Sequence, residues 1–201
     1  MVVGLTGGIG SGKTTVAHFF SKFDHVVVYN ADFEAKKLMN ASSIIKAKIC
    51  EEFGEESYYK NQLNSTFIAN LVFKNKSKLE ILNAIVHPEV KKHFQQFVNQ
   101  HQKKQYIIYE NAILFESKSY LNCDIIITVS APLDLRIERT MLRDKSTKET
   151  IENRMKNQWL EVKKQLQSNY IIYNFDMKNI EPQIIKIHNI LTKNAIKLNL
   201  I

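Results

Sequence analysis

The sequence predicts an α/β protein with a parallel sheet of five strands flanked by helices, and three observations predict it. Short, apolar, β-branched runs alternate with segments of helical period, as a parallel sheet covered on both faces requires. A cluster of glycines stands between the first such run and the first helical segment. Residues 43–100 are helical in period, which is too long for a simple crossover and predicts a helical side subdomain. The 201 residues suit one domain carrying such an insertion, and 44% hydrophobic with 10% aromatic content is enough for a buried core.

The elements follow in order. Residues 2–6 (VVGLT) read as a buried strand, and Val16, Ala17, Phe19 and Phe20 recur at helical spacing beyond the glycines. Residues 25–29 (HVVVY) form a second strand, followed by Asn30-Ala31-Asp32, with Asp32 the expected N-cap of a helix through Leu38 and Met39. Residues 43–53 carry Ile44, Ile45, Ala47, Ile49 and Phe53, and Gly54 supplies the stop. Residues 66–73 and 77–86 are helical in period; Pro88 biases His87 away from helical angles, so a break is expected there before another helix through Val98. Residues 106–109, 124–129 and 170–173 are the remaining strands. Residues 181–198, with Pro182 in the first turn, form the closing helix. The expected organisation is a core of about 1–42, 104–138 and 168–201, a helical insertion of about 43–103 and a lid of about 139–160.

Charge and cysteine usage narrow the class. Lys and Arg number 28 against 20 Asp and Glu, a net charge of +8 that suits nucleic acid and small polyphosphates equally. No apolar run approaches the ~18–20 residues that span a bilayer, and the N-terminus shows no export signal. Cys50 and Cys123 lie far apart, without C-x-x-C or H-E-x-x-H, so the chain reads as cytoplasmic and reduced. The expected state is a monomer or weak homo-oligomer. The lysines of residues 74–104 read as a solvated surface, since only Phe94 and Phe97 lie among them as stacking residues.

Gly7 to Thr14 match G-x-x-x-x-G-K-[ST] in the context of strand, loop and helix that this motif requires. Glycines let backbone N–H groups close on phosphate oxygens, and the following helix adds its N-terminal dipole. Gly8, Gly10, Ser11, Gly12, Lys13, Thr14 and Thr15 are therefore expected to hold the phosphates of a bound ligand. Lys13 reaches the β- and γ-phosphates, and the Thr14 hydroxyl ligates Mg²⁺.

Other motifs sort the phosphate-binding classes. No D-x-x-G follows, because Glu51 and not aspartate stands three residues before Gly54, and Asn75-Lys76-Ser77 continues into Lys78, where a guanine-reading motif needs aspartate. A small-molecule kinase remains. All four arginines, Arg136, Arg139, Arg143 and Arg154, fall within 19 residues, the first three at helical spacing after Pro132. They suit a lid that meets charge on the transferring group, with the polar residues 144–149 as its mobile part. Residues 33–135 contain no arginine, which argues for a hydroxyl acceptor over a phosphate monoester. Asp32, at the carboxyl end of the second strand, is the candidate base, and N-capping can coexist with that role. The alternatives are another small-molecule, nucleoside or nucleotide kinase, or an ATP-regulated nucleic-acid-binding protein.

TGGIGSGKTT, NAD at 30–32, LNAIVHPEV at 82–90, AILFE at 112–116 and ERTMLRD at 138–144 together resemble the dephospho-CoA kinase family, over residues 2 to about 175. The resemblance implies a P-loop NTPase fold with a helical acceptor-binding subdomain and a lid. It implies transfer of the γ-phosphate of ATP to the ribose 3′-hydroxyl of dephospho-CoA, with Mg²⁺ and without nucleic-acid or membrane partners. Asp32 matches the family's catalytic carboxylate, Lys13 its phosphate-binding lysine, and Arg139 and Arg143 its lid arginines. His87 and Leu114-Phe115-Glu116 match positions beside the acceptor, and Asn174 an asparagine near the base. The chain departs from the family at Asn30, where D-A-D is common, at Ala112, where proline is common, and at Tyr173, in the neighbourhood of a frequent aspartate. The first change removes a carboxylate that serves a water-mediated Mg²⁺ contact.

Overall fold

A computed structural model describes residues 1–73 and 75–198. In chain order the elements are β1 (Val2–Thr6), α1 (Lys13–Phe20), β2 (Val26–Asn30), α2 (Ala31–Ala41), α3 (Ser43–Phe53), β3 (Tyr58–Tyr59), β4 (Gln62–Leu63), α4 (Ser65–Phe73) and α5 (Lys76–Gln100). There follow β5 (Tyr106–Glu110), β6 (Ile125–Ser130), α6 (Leu133–Asp144), α7 (Lys148–Met155), α8 (Glu161–Leu166), β7 (Tyr170–Tyr173) and α9 (Ile180–Leu198). They form two compact units, Met1–Asn30 with His101–Ile201, and Ala31–Gln100. Among the described residues no helix is long and apolar enough to cross a membrane.

In the first unit five parallel strands lie in the order β2-β5-β1-β6-β7. Period-two patterning turns Val3 and Leu5, Tyr106 and Ile108, and Ile127 and Val129 into one core, all 0% exposed. The same core takes Val16, Ala17 and Phe20 from α1, and Ile180, Ile184, Ile187 and Leu191 from α9, at spacings of three and four that make one helical stripe. Each such aliphatic contributes about 1.5–3 kcal/mol by leaving water. The Tyr106 hydroxyl and His188 Nδ1 lie 2.6 Å apart, and the His188 ring stacks on Phe23. Burial lowers the imidazole pKa there. Because the strands are parallel, their carboxyl ends share one edge, where Asn30 of β2 is in register with Glu110 of β5. That edge is where open α/β sheets bind ligands.

The second unit is built around α5, whose Ile85, Val86, Val90 and Phe94 are buried and which packs against α2, α3 and α4. From α3 it buries Ile45, Ile49 and Phe53. Ser42 caps α3 by accepting from the Ile45 N–H, and Gly54 ends it at φ 92°, ψ 162°.

Three expectations need correction here. Pro88 does not break the helix; α5 runs through it from Lys76 to Gln100. The missing N–H leaves only the Ala84 carbonyl without its helical donor. Ala84 is exposed, so water can satisfy it, while the buried stripe on both sides of Pro88 holds the helix together. Asp32 is not an N-cap: α2 starts at Ala31, directly after β2, and Asp32 lies exposed in the first turn, where its charge complements the helix dipole. The stretch expected to be wholly helical contains the β3–β4 hairpin, turned by Lys60 at φ 47° and Asn61 at φ 64°. Consecutive left-handed residues suit such a two-residue turn, but lysine is not a residue that announces one.

The backbone angles of Gly54 fall in a region that is essentially glycine-only. Gly54→Ala is expected to destabilise the protein by about 1–3 kcal/mol. A urea denaturation midpoint unchanged from the parent would refute the strain.

Candidate active site

The loop between β1 and α1 stands at the carboxyl edge of the central strand. Gly12 adopts φ 89° and ψ 25° at the start of α1, a left-handed conformation that lets the chain turn from loop into helix. A Cβ there would also come within 2.1 Å of Asn174 Nδ2. Ser11 is fully buried, Thr14 is exposed, and Gly10, Lys13 and Thr15 are half-buried. Lys13 Nζ donates to the carbonyls of Gly7 at 2.9 Å and Gly8 at 3.3 Å, which tethers the ammonium to the loop. Loop amides at a helix N-terminus, with a lysine beside them, make an anion cradle.

Beside the cradle stands a carboxylate that the sequence reading missed. Glu110, 4% exposed at the end of β5, accepts from Thr14 Oγ1 at 2.7 Å and from Asn30 Nδ2 at 2.7 Å. Its signal was present: a charged residue ends the apolar run YIIYE at the same sheet edge as the motif. The negative charge missing at Asn30 is found one strand over, bonded to Asn30 itself.

The arginines separate into three environments. Arg136 is 7% exposed, with Nε donating to the Ile9 carbonyl at 2.9 Å and Nη1 to Glu161 Oε2 at 2.9 Å. Burial lowers its pKa and the charge of Glu161 raises it. Arg136 therefore braces the loop from within and is not part of an exposed lid face, contrary to the expectation from helical spacing. Arg139 donates to the Asn174 carbonyl at 3.1 Å and to its Oδ1 at 3.4 Å. Arg143 and Arg154 both bind Asp144, at 2.7 Å each. Hydrogen bonds from Arg143 and then Arg154 hold the Asp144 carboxyl well below the usual carboxylate range. One carboxylate thus ties the end of α6 to α7.

Asn174 is 1% exposed and donates through Nδ2 to the Ser11 carbonyl at 2.7 Å, while its N–H bonds the Ser130 carbonyl. Its amide pins the cradle to the ends of β6 and β7. The residues after β5 are likewise engaged internally. Leu114 and Phe115 are 0% and 2% exposed, and Phe115 stacks on Trp159 at 5.3 Å. Glu116 Oε1 accepts from the Trp159 N–H and pairs at 2.9 Å with Lys164, a lysine with no exposed surface. These contacts bury Leu114 and Phe115 and account for Trp159, which the sequence left undecided. Nothing in the sequence marked Lys164.

In the second unit, Asp32 lies two residues beyond the end of β2. His87 is half-buried on α5, where desolvation lowers its pKa and favours the neutral imidazole.

The cradle and its neighbouring carboxylate describe a phosphate-handling protein without saying which. The CoaE family model, dephospho-CoA kinase, matches residues 1–179. The dephospho-CoA kinase of Bacteroides fragilis is 36% identical over 185 residues, which cover 92% of this chain and 90% of that protein. That of Chlorobium chlorochromatii is 36% identical over 166 residues, covering 79% and 78%. A crystal structure of a Thermus thermophilus protein superposes with a TM-score of 0.84 at 25% identity, covering 94% of this chain and 96% of that one. A phosphate cradle at the sheet edge, in a chain matched almost end to end by that model and those relatives, belongs to the dephospho-CoA kinase family.

Proposed function

We propose that this protein transfers the γ-phosphoryl group of ATP to the ribose 3′-hydroxyl of dephospho-CoA, giving coenzyme A and ADP. One observation carries phosphoryl transfer: the glycine-loop cradle holds Lys13 and, at the head of α1, a hydroxyl and a buried carboxylate in direct contact. Family membership supplies the acceptor.

The donor set also fits Mg²⁺, which takes oxygen ligands. Thr14 Oγ1 and the Glu110 carboxylate are the side chains that would hold it. When bound, Mg²⁺ would offset the negative charge of the phosphates. The loop amides and the dipole of α1 bind the β-phosphate, and Lys13 follows the γ-phosphoryl oxygens during transfer. Arg139 and Arg143 meet charge that develops on the transferring group. Asp32 orients the 3′-hydroxyl and accepts its proton as the new O–P bond forms and the bond to ADP breaks. His87 and the segment Leu114-Phe115-Glu116 are the residues that family membership assigns to the acceptor, with Glu116 held in place by its pair with the buried Lys164. Asn174 supports the base region from beneath the loop.

An acceptor panel with ATP and Mg²⁺ tests the reading: dephospho-CoA is expected to be phosphorylated, and nucleosides, nucleoside monophosphates and shikimate are not. Transfer to one of those with dephospho-CoA inert would overturn it.

Asp32→Asn separates chemistry from architecture. It is expected to remove most transfer, ~10²–10⁴-fold for lost base catalysis, with ATP affinity retained. Because Asp32 occupies a first helical turn, stability should change by less than about 1 kcal/mol. A stable variant with more than roughly a tenth of parental turnover would exclude Asp32 as base.

Glu110→Gln is expected to weaken Mn²⁺ binding in the ADP complex, read by electron paramagnetic resonance. Adding Asn30→Asp reverses the donor and acceptor of that pair and returns the charge to β2, so binding should recover in part. Equal Mn²⁺ affinity in the parent and in Glu110→Gln would remove Glu110 from the metal site.

A further inference from the structure

Gln158 lies in the linker between α7 and α8 and belongs to no motif that led to the proposed function. Its carboxamide joins two separate loops of the first unit. Oε1 accepts from the Ile9 N–H, in the glycine loop, at 3.0 Å. Nε2 donates to the Ala112 carbonyl, in the loop after β5, at 3.1 Å. A backbone N–H can only donate and a carbonyl can only accept, so the partners themselves fix which way the amide points. Glutamine offers a donor and an acceptor at this reach at every pH, whereas an ionised glutamate offers acceptors alone.

Both ends of the bridge are secured. The Ile9 carbonyl accepts from Arg136 Nε, so both backbone polar groups of Ile9 are held by side chains from outside the loop. A Cβ on neighbouring Gly8 would fall 2.1 Å from the Arg136 guanidinium, so Arg136 lies flat against the loop. Glu161 anchors Arg136 from the start of α8. At the other end the Ala112 carbonyl also accepts from the buried Lys164, which pairs with Glu116. The linker itself is fastened where the Trp159 N–H meets Glu116 and its ring meets Phe115.

We propose that Gln158 is a positioning residue for phosphoryl transfer: its amide sets the course of the glycine loop at Ile9, immediately before the amides that receive the phosphates. The inference rests on the kinase reading above. Gln158 acts through Ile9 and does not touch the nucleotide, so it tunes how the cradle presents its N–H groups.

The bridge predicts a pH signature that a packing role would not give. Gln158→Glu keeps the acceptor for Ile9, but the ionised carboxylate sets an oxygen against the Ala112 carbonyl. A protonated carboxyl restores the donor. Relative to the parent at the same pH, kcat/KM for ATP is expected to be depressed about tenfold at pH 8, as one lost hydrogen bond and an oxygen–oxygen contact would produce, and to recover as the pH is lowered toward the range in which glutamate protonates. Gln158→Leu is expected to show a similar depression at every pH, with no recovery. Calorimetric ATP affinity should follow the same pattern for both variants, each measured well below its melting temperature. The proposal is overturned if Gln158→Glu keeps the parental pH profile, or if folded Gln158→Leu retains parental ATP affinity and kcat/KM. Should Gln158→Leu fail to fold, the pH profile of Gln158→Glu decides alone. Because ATP affinity needs no acceptor, it tests the bridge even if the parent proves inert toward dephospho-CoA, an outcome that would instead overturn the proposed function.

Discussion

A loop that binds phosphate must keep its backbone N–H groups facing outward, so its own secondary structure cannot hold it in place. The remaining polar groups have to be fastened by neighbours, since a buried backbone group without a partner is costly. In this protein the fastening comes from far along the chain. Asn174 takes the Ser11 carbonyl, Arg136 the Ile9 carbonyl, Gln158 the Ile9 N–H, and Lys13 the carbonyls of Gly7 and Gly8. Residues from β1 to the end of β7 therefore converge on one short segment, and the parallel sheet is the frame that brings their ends to the same edge.

The same requirement orders the charges. A polyphosphate site collects cations, and cations near one another must be separated or paired. Arg136 is buried and paired with Glu161, Arg143 and Arg154 share Asp144, and Lys164 is enclosed with Glu116. In each of the two carboxylate pairs one oxygen faces the cation, while Glu116 Oε2 and Glu161 Oε1 are buried without a hydrogen-bond partner among the described residues. Arg139 is held more lightly, by an amide and a carbonyl.

The change at Asn30 illustrates how a site tolerates loss at one position. Carboxylate and carboxamide are nearly isosteric, and Asn30 is in register with Glu110 on the adjacent strand. The pair keeps one negative charge at the head of the cradle and places it directly on the Thr14 hydroxyl. A sequence comparison taken one position at a time sees a missing charge; the strand register shows that the edge still carries one.

Local order was written in the sequence. Each strand of the parallel sheet is rich in β-branched or aromatic residues, and α3, α4 and α9 carry apolar stripes whose period is a property of the helix itself, so elements and motif could be read without knowing their neighbours. The glycine spacing announced the phosphate cradle because only backbone geometry is at stake there. What the sequence could not decide were contacts between residues distant along the chain. Helical spacing put Arg136, Arg139 and Arg143 on one face, yet only packing against the glycine loop and Glu161 buries the first of them. Pro88 reads as a break by local rules, and the buried stripe of α5 overrules it. Glu110, Gln158 and Lys164 gain their significance from partners 46 to 149 positions away. Local conformation depends on neighbouring dihedral angles and is legible in short windows, whereas the burial and pairing of a polar group depend on what the tertiary fold brings within about 3 Å of it.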